Sequence, residues 1–416
     1  MGRALAIGCL FILAQLAVAE NWPRFRGADG QGASTETALP TKWSAKENVA
    51  WKTPIPGEGW SSPVVWGKRV FVTATTDGGK SCHIIGLDAE TGKLLWDREV
   101  FKQQPPHKRP ENSQATPTPT TDGERVYATF GEGGIAAVTV AGEPVWTYQD
   151  FKFHSHHGLS ASPILYKDLL IMPYDGSSKT DKAVGWQKPW EGALVVALDR
   201  ATGQVRWKTP RGPSRLAHAT PLLLKVADKD VLVSTAGEVV QGFDPQNGKL
   251  LWTVPAVGEG VTPSPVVGDG MVFTASGFGA TALRAIRLEG GAEETTRPVV
   301  WETKKGVTTI PSPVYVKPYL YMVTEKGILN CLDAATGKEV WQERLPGSYA
   351  ASPIYAGGNL YFLSDSGETT IVEPGPKFKI IAQNPLGERC QASIAVANGR
   401  LFIRTEGNLY CIRKGE

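Results

Sequence analysis

Four stretches of the chain end on the same short phrase, and a recurring phrase of this kind limits the fold to a repeat architecture. Leu87-Asp88-Ala89-Glu90-Thr91-Gly92-Lys93 runs on to Trp96, and Leu198-Asp199-Arg200-Ala201-Thr202-Gly203-Gln204 to Trp207. Phe243-Asp244-Pro245-Gln246-Asn247-Gly248-Lys249 leads to Trp252, and Leu332-Asp333-Ala334-Ala335-Thr336-Gly337-Lys338 to Trp341. In each, Asp opens a turn by accepting backbone N–H groups, and Gly takes a positive-φ position that other residues occupy only at a cost. The flanks alternate, as in Leu94-Leu95-Trp96, so the phrase reads as a hairpin whose indole faces a neighbouring sheet. Degenerate copies end at Trp146 and Trp301.

Each unit also opens on Ser or Thr before Pro, followed by a β-rich run. The openings are Ser62-Pro63, Thr116-Pro117, Ser162-Pro163, Thr220-Pro221, Ser264-Pro265, Ser312-Pro313 and Ser352-Pro353, with an eighth, Ala392-Ser393-Ile394, that lacks the proline. A second run follows each opening, such as Arg69-Val70-Phe71-Val72, so each unit reads as four short strands, the size of one propeller blade. The eighth unit has only three strands before Glu416, whereas Asn48-Val49-Ala50-Trp51-Lys52 has an ending tryptophan and no opening. The expected fold is therefore all-β, an eight-bladed β-propeller whose last blade is completed by the N-terminal strand, leaving no exposed sheet edge. Blade seven ends at Lys379-Ile380-Ile381 without a tryptophan.

These phrases resemble the repeat of the pyrroloquinoline quinone (PQQ)-type propellers, whose tryptophan-docking motif is A-x-D-x-x-T-G-K/Q-x-x-W. Ala197 to Trp207 matches every position, and the other three copies miss one or two. The resemblance covers about residues 49–413 and implies the fold. Quinoprotein alcohol dehydrogenases and the BamB outer-membrane assembly lipoprotein share the repeat, so it leaves the function between them. The opening Trp22-Pro23-Arg24-Phe25-Arg26-Gly27-Ala28-Asp29-Gly30 resembles the arm of exported BamB-like proteins.

Residues 1–19 read as a secretory signal: Arg3, an apolar stretch Leu5 to Leu16, and the small residues Ala17-Val18-Ala19 before a cleavage point near Ala19. The expected division is 1–19 signal peptide, 20–48 N-terminal arm and 49–413 propeller, in a periplasmic or secreted protein with no membrane span. A formal net charge of +3 gives no reason to expect nucleic acid or an anionic membrane as partner. Cys82, Cys331, Cys390 and Cys411 show no C-x-x-C spacing and read as small buried strand residues. Cys331 and Cys411 fill the same repeat position two blades apart.

In a propeller the loops into the first strands and those joining second to third strands share one face. Three insertions fall there: 97–114, 147–159 and 175–192, the last carrying Trp186 and Trp190. His154-Ser155-His156-His157 offers imidazoles suited to Zn, Cu or Fe, against the reading as a hydrogen-bonded polar loop, and no metal is expected. Three residues back from each opening proline lie Trp60, Gln114, Ser160, His218, Thr262, Ile310, Ala350 and, by analogy, Gln391. Together with His157, Arg215, Glu259, Tyr349 and Arg389 they form the candidate channel mouth, either an anionic-ligand pocket or a wet channel. Trp60, Trp186, Trp190 and Tyr349 are also candidate stacking platforms for a glycan.

No G-x-S-x-G elbow, P-loop or H-E-x-x-H occurs, and no vicinal Cys-Cys pair of the kind found in quinoprotein alcohol dehydrogenases. The expected function is an exported, non-catalytic propeller, monomeric, that binds a protein or polymer partner in the cell envelope. The alternative is a periplasmic PQQ-dependent dehydrogenase or quinone-binding protein. No cofactor is expected on the first reading, and PQQ with Ca²⁺ on the second.

Overall fold

Turn chemistry and alternation translate directly into sheets. A computed structural model describes residues 20–289 and 295–415, and among them stand eight four-stranded antiparallel sheets with one 3-10 turn at Asp77–Gly79. The signal segment expected at 1–19 lies outside the described residues. Blade one is typical: Val64–Trp66, Arg69–Thr76, Ser81–Asp88 and Leu94–Lys102, paired in chain order. First strands of neighbouring blades touch, as Val64–Trp66 does with both Thr120–Thr121 and Ala395–Ala397, so they line the axis. Blade eight contains Ala395–Ala397, Arg400–Arg404 and Asn408–Arg413, and its outer strand is Val49–Pro54. The closure expected from counting tryptophans is what the sheet order shows.

The tryptophan phrase is a latch between blades. Asp88 accepts the N–H groups of Glu90 and Thr91 at 3.0 and 2.8 Å, and Gly92 has φ of 71°. A Cβ on Gly92 would sit 2.5 Å from the Trp51 ring, so the turn of blade one is shaped to receive blade eight's indole. The indole N–H completes the dock: Trp51 donates to Ala89 O, Trp96 to Val140 O, Trp146 to Arg200 O and Trp301 to Ala334 O, at 3.0–3.2 Å. Within its own blade each tryptophan lies opposite a small residue, for example Gly86, Ala197 or Gly242. A β-bulge follows beside it. At Gly242 a Cβ would meet Trp252 at 2.1 Å, which explains the small residue two before the motif's Asp. Cys331 and Cys411 occupy this same position opposite Trp341 and Trp51, and all four described cysteines are buried and unpaired.

A second, inner set of bonds runs around the axis. The backbone N–H of each opening residue donates to the hydroxyl of the next blade's opening residue. The chain of donors runs Ser62, Thr118, Ser162, Thr220, Ser264, Ser312, Ser352 and Ser393, and Ser393 N–H returns to Ser62 Oγ. All eight distances fall between 2.9 and 3.0 Å. In blade two the participant is Thr118, not Thr116. Thr116-Pro117-Thr118-Pro119 contains the opening dipeptide twice, and the first strand, Thr120–Thr121, follows the second copy.

The N-terminal arm crosses the end of the axis where first and second strands turn. Trp22 exchanges two 2.9 Å backbone bonds with Val65, Pro23 O accepts Thr121 N–H, and Gln31 Oε1 accepts Val267 N–H. Buried Arg26 donates to the carbonyls of Pro313 and Pro353, at 2.6 and 3.3 Å. Farther along, Trp43 stacks on Tyr361 with ring centroids 6.4 Å apart. In other blades the aromatic at Tyr361's position meets the blade's own tryptophan, as Phe71 meets Trp96 and Tyr321 meets Trp341. The tryptophan that blade seven lacks is thus supplied by the arm.

Two closures can be tested. Trp51→Ala is expected to destabilise the chain by about 3–5 kcal/mol in urea denaturation, because it empties a buried latch and frees a strand. The second rests on Glu388, whose carboxylate accepts from Lys52 of the closing strand, Tyr410, Thr405 and Asn408. Burial alone would raise its pKa, but these bonds outweigh burial and hold it at about 2, against 4.5 when free. Its contribution is therefore complete above about pH 4.5 and disappears as pH falls toward 2. At this partly exposed site it amounts to about 1–2 kcal/mol, and Glu388→Gln should flatten that part of the stability–pH curve.

Candidate functional site

The insertions interlock above the ring. Residues 97–102 extend an outer strand, so the first insertion begins at Gln103. Asn112 donates to His157 O at 2.7 Å, joining the first insertion to the second. Ser177 N–H donates to His154 O at 2.8 Å, joining the second to the third. The third is fixed below by Ala217 N–H to Asp175 O and above by Leu216 N–H to Gly185 O. Its root is a buried ion pair. Arg211 donates to both oxygens of Asp175, at 2.6 and 2.9 Å, and also reaches Gln241 and Ser234. Burial pushes the Asp175 carboxyl up, and the two Arg211 bonds oppose that.

Beneath the rim lies a cavity of about 650 Å³. Its floor is the hydroxyl ring together with Phe25 of the arm, so the axis is closed from below by the molecule's own N-terminal segment. Eleven of the mouth and loop residues singled out in the sequence line it: Trp60, His157, Ser160, Trp186, His218, Glu259, Thr262, Ile310, Tyr349, Ala350 and Gln391. Gln114 does not. The doubled Thr-Pro shifts the inward position to Thr116, and Gln114 donates instead to Pro106 O at 2.7 Å, within the first insertion. Trp190 packs on Gly176 and Gly192 and exchanges backbone bonds with Ser214, which makes it a support of the third insertion. Arg215 pairs with Glu238 at 3.1 Å and donates to Trp186 O. Arg389 stands 5.1 Å over the Trp60 ring and pairs with Glu406. Both arginines brace lining aromatics and do not themselves face the cavity.

The polar groups of the wall are mostly uncharged or already committed. Burial holds His218 neutral, its pKa lowered to about 3, with His157 contributing; His157 itself is lowered to about 4 by burial and by Arg109. The two rings meet edge to face at 5.8 Å. Burial raises Glu259, against a hydrogen bond from the Trp186 indole and the charges of Arg215 and Arg109. Asp365 accepts Ala350 N–H and the Ser348 hydroxyl, at 2.9 and 2.8 Å. Sequence reasoning missed Asp365, Glu325 and Phe25, all of which line the cavity. The first two follow second strands, at positions that repeat counting does not mark as inward.

Two expected chemistries can be weighed against this wall. The histidine cluster spreads its rings: His154 lies 3.3 Å from Ser177 Oγ, and His156 Nε2 is 3.2 Å from Lys182 O. Among the described residues no group of three or more His, Cys, Asp or Glu is placed to hold a metal ion. PQQ brings three carboxylates. Among the described residues the lining offers them Arg109 as its one Arg or Lys, and its carboxylates Glu111, Glu259, Glu325 and Asp365 do not converge into a group that could hold the Ca²⁺ expected with the quinone, so the residues present do not fit the pair.

A family model described as outer membrane protein assembly factor BamB matches residues 33–149, 84–190, 190–299 and 290–373. Tetrathionate hydrolase of Acidithiobacillus ferrooxidans is 25% identical over 291 residues, 67% of this chain and 53% of that protein. BamB of Yersinia pestis is 24% identical over 238 residues, 53% of this chain and 57% of that one. The chain therefore spans little more than half the length of these curated relatives. The crystal structure of BamB from Moraxella catarrhalis superposes with a TM-score of 0.61, covering 88% of this chain and 99% of that one at 14% identity, a likeness of fold.

The rim's anchorage is open to direct measurement. Asp175→Ala strands a buried arginine and should cost about 3–5 kcal/mol in unfolding experiments. Limited proteolysis should then cut first within 175–192, where the unsubstituted protein resists.

Proposed function

The chain belongs to the family of the outer membrane protein assembly factor BamB, and from that premise we propose that it is an exported, non-catalytic binding propeller of the cell envelope. The observation that carries this reading is the interlocked rim. Three insertions leave one face and are joined to each other by hydrogen bonds, one from the Asn112 side chain and one between backbones, so they present a fixed surface on a ring whose blades are latched inside and outside. Trp186 and Phe278 stand at the cavity edge 37% and 40% exposed, large apolar groups on otherwise polar ground. Lys179, Lys182 and Lys188 stand exposed on the same insertion as Trp186. Aromatic anchors on polar ground, with lysines on the same insertion, suit the recognition of a protein or polymer partner. The opposite face is occupied by the chain's own arm, which leaves the rim as the docking side.

The dehydrogenase reading draws support from the repeat and fold shared with quinoprotein dehydrogenases, and the lining described above speaks against it. Photo-crosslinkers placed at Lys182 on the rim, and at Lys317 on the arm's face, test the reading in cells producing the full chain. One defined adduct is expected from Lys182 and none from Lys317. Equal adducts from both faces, or dye-linked alcohol oxidation by purified protein given PQQ and Ca²⁺, would overturn it.

A further inference from the structure

The hydroxyl ring has a chemical side as well as a structural one. Each of its eight oxygens accepts a backbone N–H, and no acceptor for any of the eight hydroxyl protons occurs among the described residues. All eight residues line the cavity, so its floor is a circle of O–H donors. On one wall stands His218, only 6% exposed, with neither ring nitrogen bonded. Beside it Glu259, 8% exposed, has Oε2 without a partner. Buried polar groups left like this are rare, because the cost of desolvating them is recovered only when something bonds to them.

What would satisfy them is constrained from three directions. A neutral imidazole offers one donor and one acceptor, and the floor offers donors, so the occupant needs hydroxyl-like groups able to do both. An anion meets Glu111, Glu259, Glu325 and Asp365 with Arg109 as the one lining Lys or Arg. A cation such as an ammonium would suit those carboxylates but brings donors only, so it leaves the eight hydroxyl protons of the floor and the His218 N–H unmet. The occupant is therefore uncharged. Trp186 and Phe278 add exposed aromatic surface of the kind on which the C–H faces of a pyranose ring stack, whereas the Tyr349 ring is buried in the core.

We propose that the cavity is a binding site for a neutral saccharide, stacked on Trp186 and bonded through its hydroxyls to His218, Glu259 and the hydroxyl ring. About 650 Å³ lies within the range of small-ligand sites, roughly 300–1,000 Å³. The blind floor means that one end of a chain enters, or a short oligomer, and that a long polymer does not thread through. This assignment is independent of partner docking on the rim: crosslinking at Lys182 reports the rim, and the titrations below report the cavity.

Calorimetric titration of the full chain with cellotriose, maltotriose and chitotriose, beside trigalacturonate and tetrathionate as anionic probes, tests it. Saturable one-site binding of at least one neutral trisaccharide is expected, with quenching of tryptophan fluorescence. His218→Ala and Glu259→Gln should each weaken it by about tenfold or more, and Lys317→Ala, on the opposite face, should leave it unchanged. Should His218→Ala fail to fold, Glu259→Gln and Trp186→Ala carry the same test. No saturable binding of any neutral trisaccharide up to about 10 mM, which would mean a cavity filled by water only, overturns the proposal. So does binding confined to the anions, or affinity unmoved by the substitutions.

Discussion

Every blade gives one backbone N–H at its inner edge to a hydroxyl of the next, and after eight such transfers the last donor must find the first acceptor. That closure ties all eight blades into one ring of equivalent joints, each carrying the same bond, with Ser393 returning to Ser62. The hydroxyl is needed at this point for a definite reason. The N–H groups nearest the axis point along the ring and not along a sheet ladder, and burial without a partner would be costly. Proline next to it, in seven blades of the eight, sets the direction in which the first strand leaves. The tryptophan latches act at the outside of the same joints, so each blade boundary is fastened at both ends.

Most of this architecture was legible because it is repeated. The turn phrase states its own geometry through Asp and Gly, and the count of strands and endings identifies which strand closes the ring. The hydroxyl ring was visible only as an opening marker, since its bonds join residues 40 or more positions apart and no local pattern discloses them. Repetition also misled where it was doubled: in Thr116-Pro117-Thr118-Pro119 either dipeptide fits, and only the position of the next strand decides. Taking the first copy moved the inward position onto Gln114.

The site was less legible, and for a different reason. His218 and Trp60 follow from counting back to the axis, but Glu325 and Asp365 arise from loops whose lengths are ordinary. Whether a long side chain near the mouth faces the cavity depends on its neighbours. Arg215 and Arg389 were as well placed in sequence as Glu259, yet Glu238 and Glu406 draw them outward. The arm was the largest surprise. Phe25 and Trp43 belong to a segment without repeat character, and nothing local indicates that one of them floors the cavity while the other stands in for blade seven's absent indole.

The pairing of Val49–Pro54 with Asn408–Arg413 also sets an order of events. A ribosome delivers the closing strand before any blade exists, and its sheet partner in blade eight comes last. Through nearly the whole of synthesis this strand has no sheet partner, and the loop it closes spans almost the entire chain, the slowest kind of contact to form. Blades one to six can assemble against one another as they emerge, but the inner ring, the outer latch at Trp51 and the cavity floor at Phe25 can all be completed only at the end. The same contact therefore marks completion: a chain cut short by one blade loses its ring, its seal and its pocket in a single step.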